Sequence, residues 1–321
     1  MLKCSLGIDV SSKKLDVVLS VIDSQQLVKV VASKSAIANT MQGFKNLKEW
    51  INKHLKKYDI PLTICMEATG VYHENCALYL YQAGFSVSII LPNKAKKYLQ
   101  ALGLKSKNDG IDAKGLAQMG AEQSLKKWKP LGEFFYKLRS LTRQNQNIQE
   151  LKTSIGNQIH AIEYGMFLEK SVLKQLKKTV ALLDKQLATL EAILLKQLKS
   201  NETVFTKIEN ICKIKGLCVL TVATILAETN GFELFENAKQ LVSYSGYDAI
   251  ANQSGKHFGK TRISKKGNSH IRRCLFMPAF SVVKYKSGNF HNLYERTYQK
   301  HGIKMKSYVA VQKKLLTTIF A

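Results

Sequence analysis

Hydrophobic and polar positions alternate in short, strand-like runs over the first third of the chain and then change to helical spacing. Leu2–Val10, Leu15–Ile22 and Leu27–Ala32 are apolar, β-rich runs separated by polar turns, which predicts an antiparallel meander. The elements predicted after the meander are a helix capped by Thr40 with apolar positions Phe44, Leu47, Ile51 and Leu55, strands at Leu62–Glu67 and Phe85–Leu91, and helices at Tyr72–Ala83, Asn93–Leu102 and Gly110–Glu122. Strands followed by strand–helix alternation indicate an α/β layered domain over residues 1–125.

Residues 126–200 are predicted to be long helices, because the stretch from Phe134 to Leu198 has no proline and only two glycines. One apolar seam recurs at alternating spacings of four and three, at Leu176, Val180, Leu183, Leu187, Leu190 and Leu194. A helical hairpin packed on itself and a dimerising coiled coil both fit this seam. We favour a coiled-coil arm that helps to assemble a multimer.

Residues 201–321 are predicted to form a mainly α-helical domain with a basic, glycine-punctuated segment. Charge runs are usually solvated loops. Here, however, Gly255, Gly259 and Gly267 allow close backbone approach to a phosphate. Between Lys256 and Arg273 there is no acidic residue, and the predicted nucleic-acid-binding residues are Lys256, Lys260, Arg262, Lys265, Lys266, Arg272 and Arg273.

The large positive charge of the whole chain favours a negatively charged partner. Lys and Arg number 49 against 23 Asp and Glu, a formal net charge of +26, so we expect a polyanion. A membrane surface is the weaker alternative, because no amphipathic helix sets its basic residues beside a Trp/Phe face and the best apolar run, Gly216–Ala227, is too short to span a bilayer. Six cysteines without a CxxC pair indicate free thiols in a reducing cytoplasm.

Four carboxylates stand out in this basic chain. Asp9 and Glu67 each end an apolar strand, and Asp109 and Asp112 share one face near the start of a helix. A lone Asp after a strand is more often a turn or cap residue, and Asp109 alone fits a plain N-cap, whereas Glu67 at the end of a buried strand has no obvious structural task. As a set, oxygen-only ligands suit Mg²⁺ or Mn²⁺, and two such ions can drive phosphodiester chemistry. The order Asp–Glu–Asp–Asp in an α/β domain therefore predicts a ribonuclease-H-like site.

Three N-terminal segments, GIDVSSKKLDV (7–17), MEATGVYHE (66–74) and KSKNDGIDAKGLA (105–117), resemble the DEDD domain of the IS110 family of bridge-RNA-guided insertion-sequence transposases, related also to Piv-type invertases. The resemblance continues through KGLCVLTVATILAE (215–228) and residues 241–279, and so covers nearly the whole chain. It implies an α/β, ribonuclease-H-like (RuvC-like) N-terminal domain over 1–125, a coiled-coil arm over 126–200 and a transposase domain over 201–321.

The resemblance also implies the chemistry. The catalytic, metal-binding tetrad falls on Asp9, Glu67, Asp109 and Asp112, and the nucleophilic serine falls on Ser254, which would otherwise be read as a turn residue. The two would form a composite site on DNA. The implied cofactor is Mg²⁺ (or Mn²⁺), and the implied partners are donor and target DNA, a guide RNA and further copies in a homodimer or homotetramer, with no membrane.

The function expected is a transposase that excises and inserts a mobile element in the bacterial cytoplasm, associated with the nucleoid when bound to DNA. Two alternatives stay open. One is a RuvC-like, structure-selective nuclease that uses the tetrad with water as its nucleophile. The other is a nucleic-acid-binding protein whose catalytic site has decayed.

Overall fold

The computed structural model divides the chain into two compact units, residues 1–130 and 131–321. It describes residues 2–56, 58, 60–103, 108–250, 253–254, 257–258 and 262–321, with only the backbone at 253–254 and 257–258. None of the helices in these ranges is long and apolar enough to cross a membrane. The predicted division of residues 126–321 at residue 200 stays a prediction.

The first unit is built on one five-stranded sheet with the order β3-β2-β1-β4-β5. The strands are β1 Lys3–Val10, β2 Lys14–Ile22, β3 Val28–Ala38, β4 Leu62–Glu67 and β5 Ser86–Ile90. Strands β1, β2 and β3 pair antiparallel, which confirms the predicted meander, and β4 and β5 add parallel to β1. This order, with β2 alone antiparallel to its neighbours on both sides, is the ribonuclease-H-like arrangement expected from the sequence.

In the described part of this unit, four helices accompany the sheet: α1 Met41–Leu55, α2 Glu74–Gln82, α3 Pro92–Ala101 and α4 Asp109–Glu122. The predicted cap is present, because the Thr40 hydroxyl oxygen accepts the Gly43 N–H at 3.3 Å. Phe44, Leu47 and Ile51 of α1 are buried in the main core with the strands, as their spacing predicted.

The second unit is mainly helical, as predicted for the last third of the chain. Its helices are α5 Glu133–Glu163, α6 Lys170–Lys199, α7 Glu202–Cys212, α8 Val219–Thr229, α9 Ala238–Tyr244, α10 Ser269–Cys274, α11 Phe276–Lys284, α12 Gly288–His301 and α13 Lys304–Phe320. Four short strands form two hairpin pairs, β6 Ala249–Ile250 with β9 Arg262–Ile263, and β7 Gln253–Ser254 with β8 His257–Phe258.

The predicted apolar seam lies on α6 and packs partly against α5 of the same chain. Leu183 and Leu187 are buried with Ile148 of α5, and Leu190 packs against this cluster. Leu194 belongs to a neighbouring core with Leu138 of α5. The packing of α6 against α5 therefore accounts for the seam from Leu183 to Leu194. The coiled-coil role of the arm stays a prediction.

Candidate active site and nucleic-acid interface

The parallel pairing of β1 and β4 brings two of the predicted carboxylates to one edge of the sheet. Ile8 is in register with Met66, so the residues that follow them, Asp9 and Glu67, stand side by side at the carboxyl ends of their strands. Both side chains are partly exposed, whereas the strand positions before them are buried. The buried residues thus hold the two strands in place, and the carboxylates of Asp9 and Glu67 remain accessible to solvent.

Helix α4 brings the other two carboxylates to the same edge. Its cap is Asn108, whose side-chain oxygen accepts the Ile111 N–H at 2.8 Å, so Asp109 is the first helical residue and not the cap. The helix lies directly on β1 because Gly7 has no side chain: a Cβ there would be 2.0 Å from the Ala113 carbonyl oxygen. Asp109 and Asp112 lie in the first turn of this helix. The helix contacts β1 at Gly7, two residues before Asp9.

The electrostatics of Asp9 show that the carboxylates are close to each other. Burial, followed by the negative charges of Asp109, Asp112, Asp16 and Glu67 in that order, together raise the pKa of Asp9 to about 6. A neighbouring cation would therefore favour the ionised form of Asp9. The structure brings the four predicted tetrad residues together.

Two residues of this site were missed by the sequence reasoning. Asp16 is directly opposite Asp9 in the β1–β2 register and is buried. The Lys14 ammonium donates to Asp109 Oδ2 at 2.7 Å and lies 3.4 Å from Asp16 Oδ2. These contacts lower the pKa of Asp109 through the hydrogen bond and charge of Lys14. The signal was available, because a tight turn between Val10 and Leu15 sets a register that pairs Asp9 with Asp16.

The four carboxylates of the tetrad offer the oxygen ligands and the negative charge that a hard divalent cation requires. All four predicted ligands offer oxygen, and a cation would relieve the repulsion on Asp9. As the described side chains are placed, no three His, Cys, Asp or Glu residues are arranged to hold a metal ion. Lys14 instead supplies positive charge to Asp109 and Asp16.

In the second unit, the backbone of Ser254 lies on a narrow hairpin. Ser254 pairs with His257 within β7 and β8, and Ile250 pairs with Arg262 at the base, within β6 and β9. Both ends of the hairpin thus return to the same place on the helical unit. The side chain of Ser254 and all of Lys256 and Lys260 lie outside the described part of the chain.

The remaining predicted nucleic-acid-binding residues differ in their surroundings. Arg262, Lys265 and Lys266 are exposed, as a phosphate contact requires. The Arg272 guanidinium Nη1 donates to the Ser245 carbonyl at 2.8 Å and to the Gly267 and Asn268 carbonyls at longer range. Arg273 pairs with Glu150 of α5. The last two arginines therefore have structural contacts that the sequence did not reveal, and the phosphate contacts of all five stay predictions.

Comparisons with known proteins agree with these features. Residues 6–167, just over half of the chain, match the family model of the IS110-type DEDD transposases, described as "Transposase". Residues 208–295 match the model described as "Transposase IS116/IS110/IS902 family".

Several individual proteins are also similar to this chain. The pilin gene-inverting protein of Moraxella bovis is 26% identical over 324 residues, covering 100% of this chain and 96% of its own length. The transposase for insertion sequence element IS1111A of Coxiella burnetii is 21% identical, covering 63% of this chain and 61% of its own. A structure of RuvC from T. thermophilus in complex with Holliday junction substrate is 15% identical, with a TM-score of 0.29, covering 37% of this chain and 93% of its own.

The family assignment rests on the first family model, because it alone spans half of the chain, and the second model extends the match into the helical unit in the same order. The chain therefore belongs to the IS110 family of DNA transposases.

Proposed function

We propose that the protein is a site-specific DNA recombinase that excises and inserts a mobile element through a covalent serine–DNA intermediate. The observation that carries the proposal is the convergence of Asp9, Glu67, Asp109 and Asp112 at one sheet edge, where burial and the charges of the neighbouring carboxylates together raise the pKa of Asp9 to about 6. Such crowding of like charges is typical of catalytic sites. Ser254, which falls on a narrow hairpin of the second unit, is assigned the nucleophile's role through the family resemblance.

Asp9, Glu67, Asp109 and Asp112 would hold Mg²⁺ or Mn²⁺. When bound, the cation supplies charge stabilisation for the phosphoryl group and acidifies nearby hydroxyl groups. The chain's own part is nucleophilic: Ser254 Oγ loses its proton to a base, bonds to phosphorus, and the bridging P–O bond breaks as the leaving oxygen gains a proton. A strand hydroxyl then attacks the phosphoserine, which restores the serine and rejoins DNA.

The choice of DNA site is assigned to a structured guide RNA. This part of the proposal rests on the family resemblance and on the net charge of +26, which suits a partner with many phosphates. Cutting two duplexes requires several active sites, so we propose a homodimer or homotetramer that acts on donor and target DNA. The proposed compartment is the bacterial cytoplasm, with the protein on the nucleoid when it is bound to DNA.

The test is denaturing electrophoresis of protein incubated with Mg²⁺, DNA carrying the ends of the element, and RNA from its flanking non-coding segment. Wild-type protein should give a protein–DNA adduct, Ser254→Ala none, and Asp9→Asn about 100-fold less, the scale of one lost electrostatic element. Asp184→Asn is the matched control, because Asp184 is an exposed carboxylate of α6 paired with Lys152. Recovery of no specific RNA with the purified protein would contradict the guided version.

The nuclease alternative is favoured by one observation, the ribonuclease-H-like strand order around the tetrad. A water-using nuclease would still cut DNA as Ser254→Ala and would lose cutting as Asp9→Asn. A binding protein with a decayed site would not cut DNA as wild type or as either variant, but all three proteins would keep their affinity for nucleic acid.

A further inference from the structure

The buried carboxylate of Glu228 forms an ion pair with the partly exposed Arg143, next to the segment that returns from the hairpin carrying Ser254. Glu228, in the last turn of α8, is only 2% exposed, and its two carboxylate oxygens accept three hydrogen bonds. Arg143 of α5 donates from Nε to Oε1 at 2.7 Å and from NH2 to Oε2 at 2.8 Å, and Asn268 donates from Nδ2 to Oε2 at 2.7 Å. We refer to Glu228, Arg143 and Asn268 as the Glu228 cluster.

The cluster keeps a buried carboxylate ionised. Burial alone would raise the pKa of Glu228, but the hydrogen bonds from Arg143 and Asn268 and the charge of Arg143 outweigh it and hold the pKa below its usual value. The fork-shaped guanidinium fixes the orientation of the carboxylate as well as its charge. The carboxylate is therefore a rigid acceptor for Asn268.

Asn268 connects this acceptor to the segment that returns from the hairpin. Its side-chain oxygen accepts the N–H groups of His270 and Ile271 and so caps α10. Its own backbone N–H donates to the Tyr244 carbonyl at 2.7 Å. One residue, through its side chain and its backbone N–H, thus joins α8, α9 and α10 at the point where the chain leaves the hairpin.

The return segment is bound closely to the chain that enters the hairpin. The N–H of Ser264 donates to the Asp248 carbonyl at 2.7 Å, and the N–H of Lys265 donates to the Gly246 carbonyl at 3.1 Å. A Cβ at Gly267 would be 2.4 Å from the Tyr244 carbonyl oxygen, so the two segments are in direct backbone contact. The β6–β9 pair begins immediately beyond these bonds. The backbone bonds of Ser264 and Lys265, together with those of Asn268, therefore anchor the base of the hairpin.

An ion pair with a buried carboxylate is a weak source of stability, because apolar residues of similar volume often serve as well. It does fix a single geometry. We propose that Glu228, Arg143 and Asn268 are positioning residues that hold the base of the hairpin in the one arrangement from which Ser254 reacts. This inference rests on the proposed role of Ser254 as nucleophile.

Three variants separate positioning from folding and from DNA binding. Asn268→Ser keeps a capping oxygen for α10 but is too short to reach Glu228. Glu228→Gln keeps the shape and removes the charge that Arg143 needs. Lys137→Met is the control, because Lys137 is an exposed cation of α5 whose partner is Glu133 on the surface.

Adduct formation is measured as a function of DNA concentration, and hydrogen–deuterium exchange is measured at the amides of Ser264, Lys265 and Asn268. We expect Asn268→Ser and Glu228→Gln to lower the adduct rate at saturating DNA at least about 10-fold, with the half-saturating DNA concentration changed less than about 3-fold. Exchange at the three amides should quicken in both variants. The double variant should be no slower than the slower single variant, because both changes disrupt the same hydrogen-bonded cluster.

Each other outcome overturns the inference. An unchanged adduct rate with faster exchange would show that the anchoring does not set the geometry of the serine. A rate and an affinity that fall together would show that the cluster supports the DNA-binding surface or the fold as a whole. If wild-type protein itself forms no adduct through Ser254, the proposed function fails, whereas an adduct that the variants leave intact defeats only the positioning role.

Discussion

Asp9→Asn should stabilise the first unit when divalent cations are absent, although it removes a residue that we assign to catalysis. The pKa of Asp9 rises from 3.8 to about 6, so the folded state binds this proton more tightly than the unfolded state does. Stability is therefore greatest below the unfolded pKa, falls as the pH rises through the folded pKa, and stays low above it. The full shift corresponds to about 3 kcal/mol, and solvent screening of this partly exposed group reduces it to about 1–2 kcal/mol.

Tryptophan fluorescence can follow this unit alone. The chain has two tryptophans, Trp50 and Trp128, and both pack against the core of the first unit. In EDTA at about pH 7.5, Asp9→Asn should melt roughly 3–8 °C above wild type, and at about pH 4 the two should coincide. Excess Mg²⁺ should raise the melting temperature of wild type more than that of Asp9→Asn.

Asp23→Asn is a control of opposite sign. Asp23 accepts the N–H groups of Leu27 and Gln25, which lower its pKa, so its stabilisation is present above the unfolded pKa and is lost as the pH falls. This variant should be destabilised at neutral pH. An Asp9→Asn protein that is no more stable than wild type at neutral pH in EDTA would refute the view that burial and the neighbouring carboxylates disfavour the charge of Asp9.

Three further predictions follow from the contacts of other residues. Gly7→Ala should destabilise the first unit by about 2–3 kcal/mol in chemical denaturation, because the new Cβ meets the backbone of α4, whereas Gly110→Ala, with only a side-chain atom 3.6 Å away, should change stability by less than about 1 kcal/mol. Lys14→Gln should tighten Mg²⁺ binding up to about 5-fold in calorimetry, because the ammonium competes for an exposed carboxylate; weaker binding would assign Lys14 a supporting role. Leu187→Ala should cost about 2–4 kcal/mol independently of protein concentration, against less than about 0.5 for the exposed Leu182→Ala, and a concentration-dependent loss would show instead that the seam joins two chains.

The sequence predicted the first unit well because its signals are local. Alternating apolar runs, the Thr40 cap and the order of strands and helices all follow from nearest-neighbour chemistry. The length of β3 was underestimated: it runs on to Ala38, pairing with β2 through a register shift that no periodic pattern reveals.

The parts of the site that were missed depend on contacts between distant residues. Asp16 and Lys14 join the tetrad only when the β1–β2 register and the position of α4 are known. Glu228 ends an apolar helix and looks unremarkable in sequence, yet its partners are 85 and 40 residues away along the chain. Arg272 belongs to a run of positive charge whose periodicity cannot separate a phosphate contact from a guanidinium bound to its own backbone.

The central claim is that DNA becomes covalently attached to Ser254 during strand exchange. The direct measurement is nuclease trimming of the adduct, followed by proteolysis and tandem mass spectrometry to locate the residue that carries the remaining nucleotide. We predict a nucleotide on Ser254 in wild-type protein formed with Mg²⁺, and none on that peptide in Asp9→Asn beyond about 1% of the wild-type amount. A nucleotide on any other side chain, or cut DNA with an unmodified Ser254 peptide, would contradict the claim.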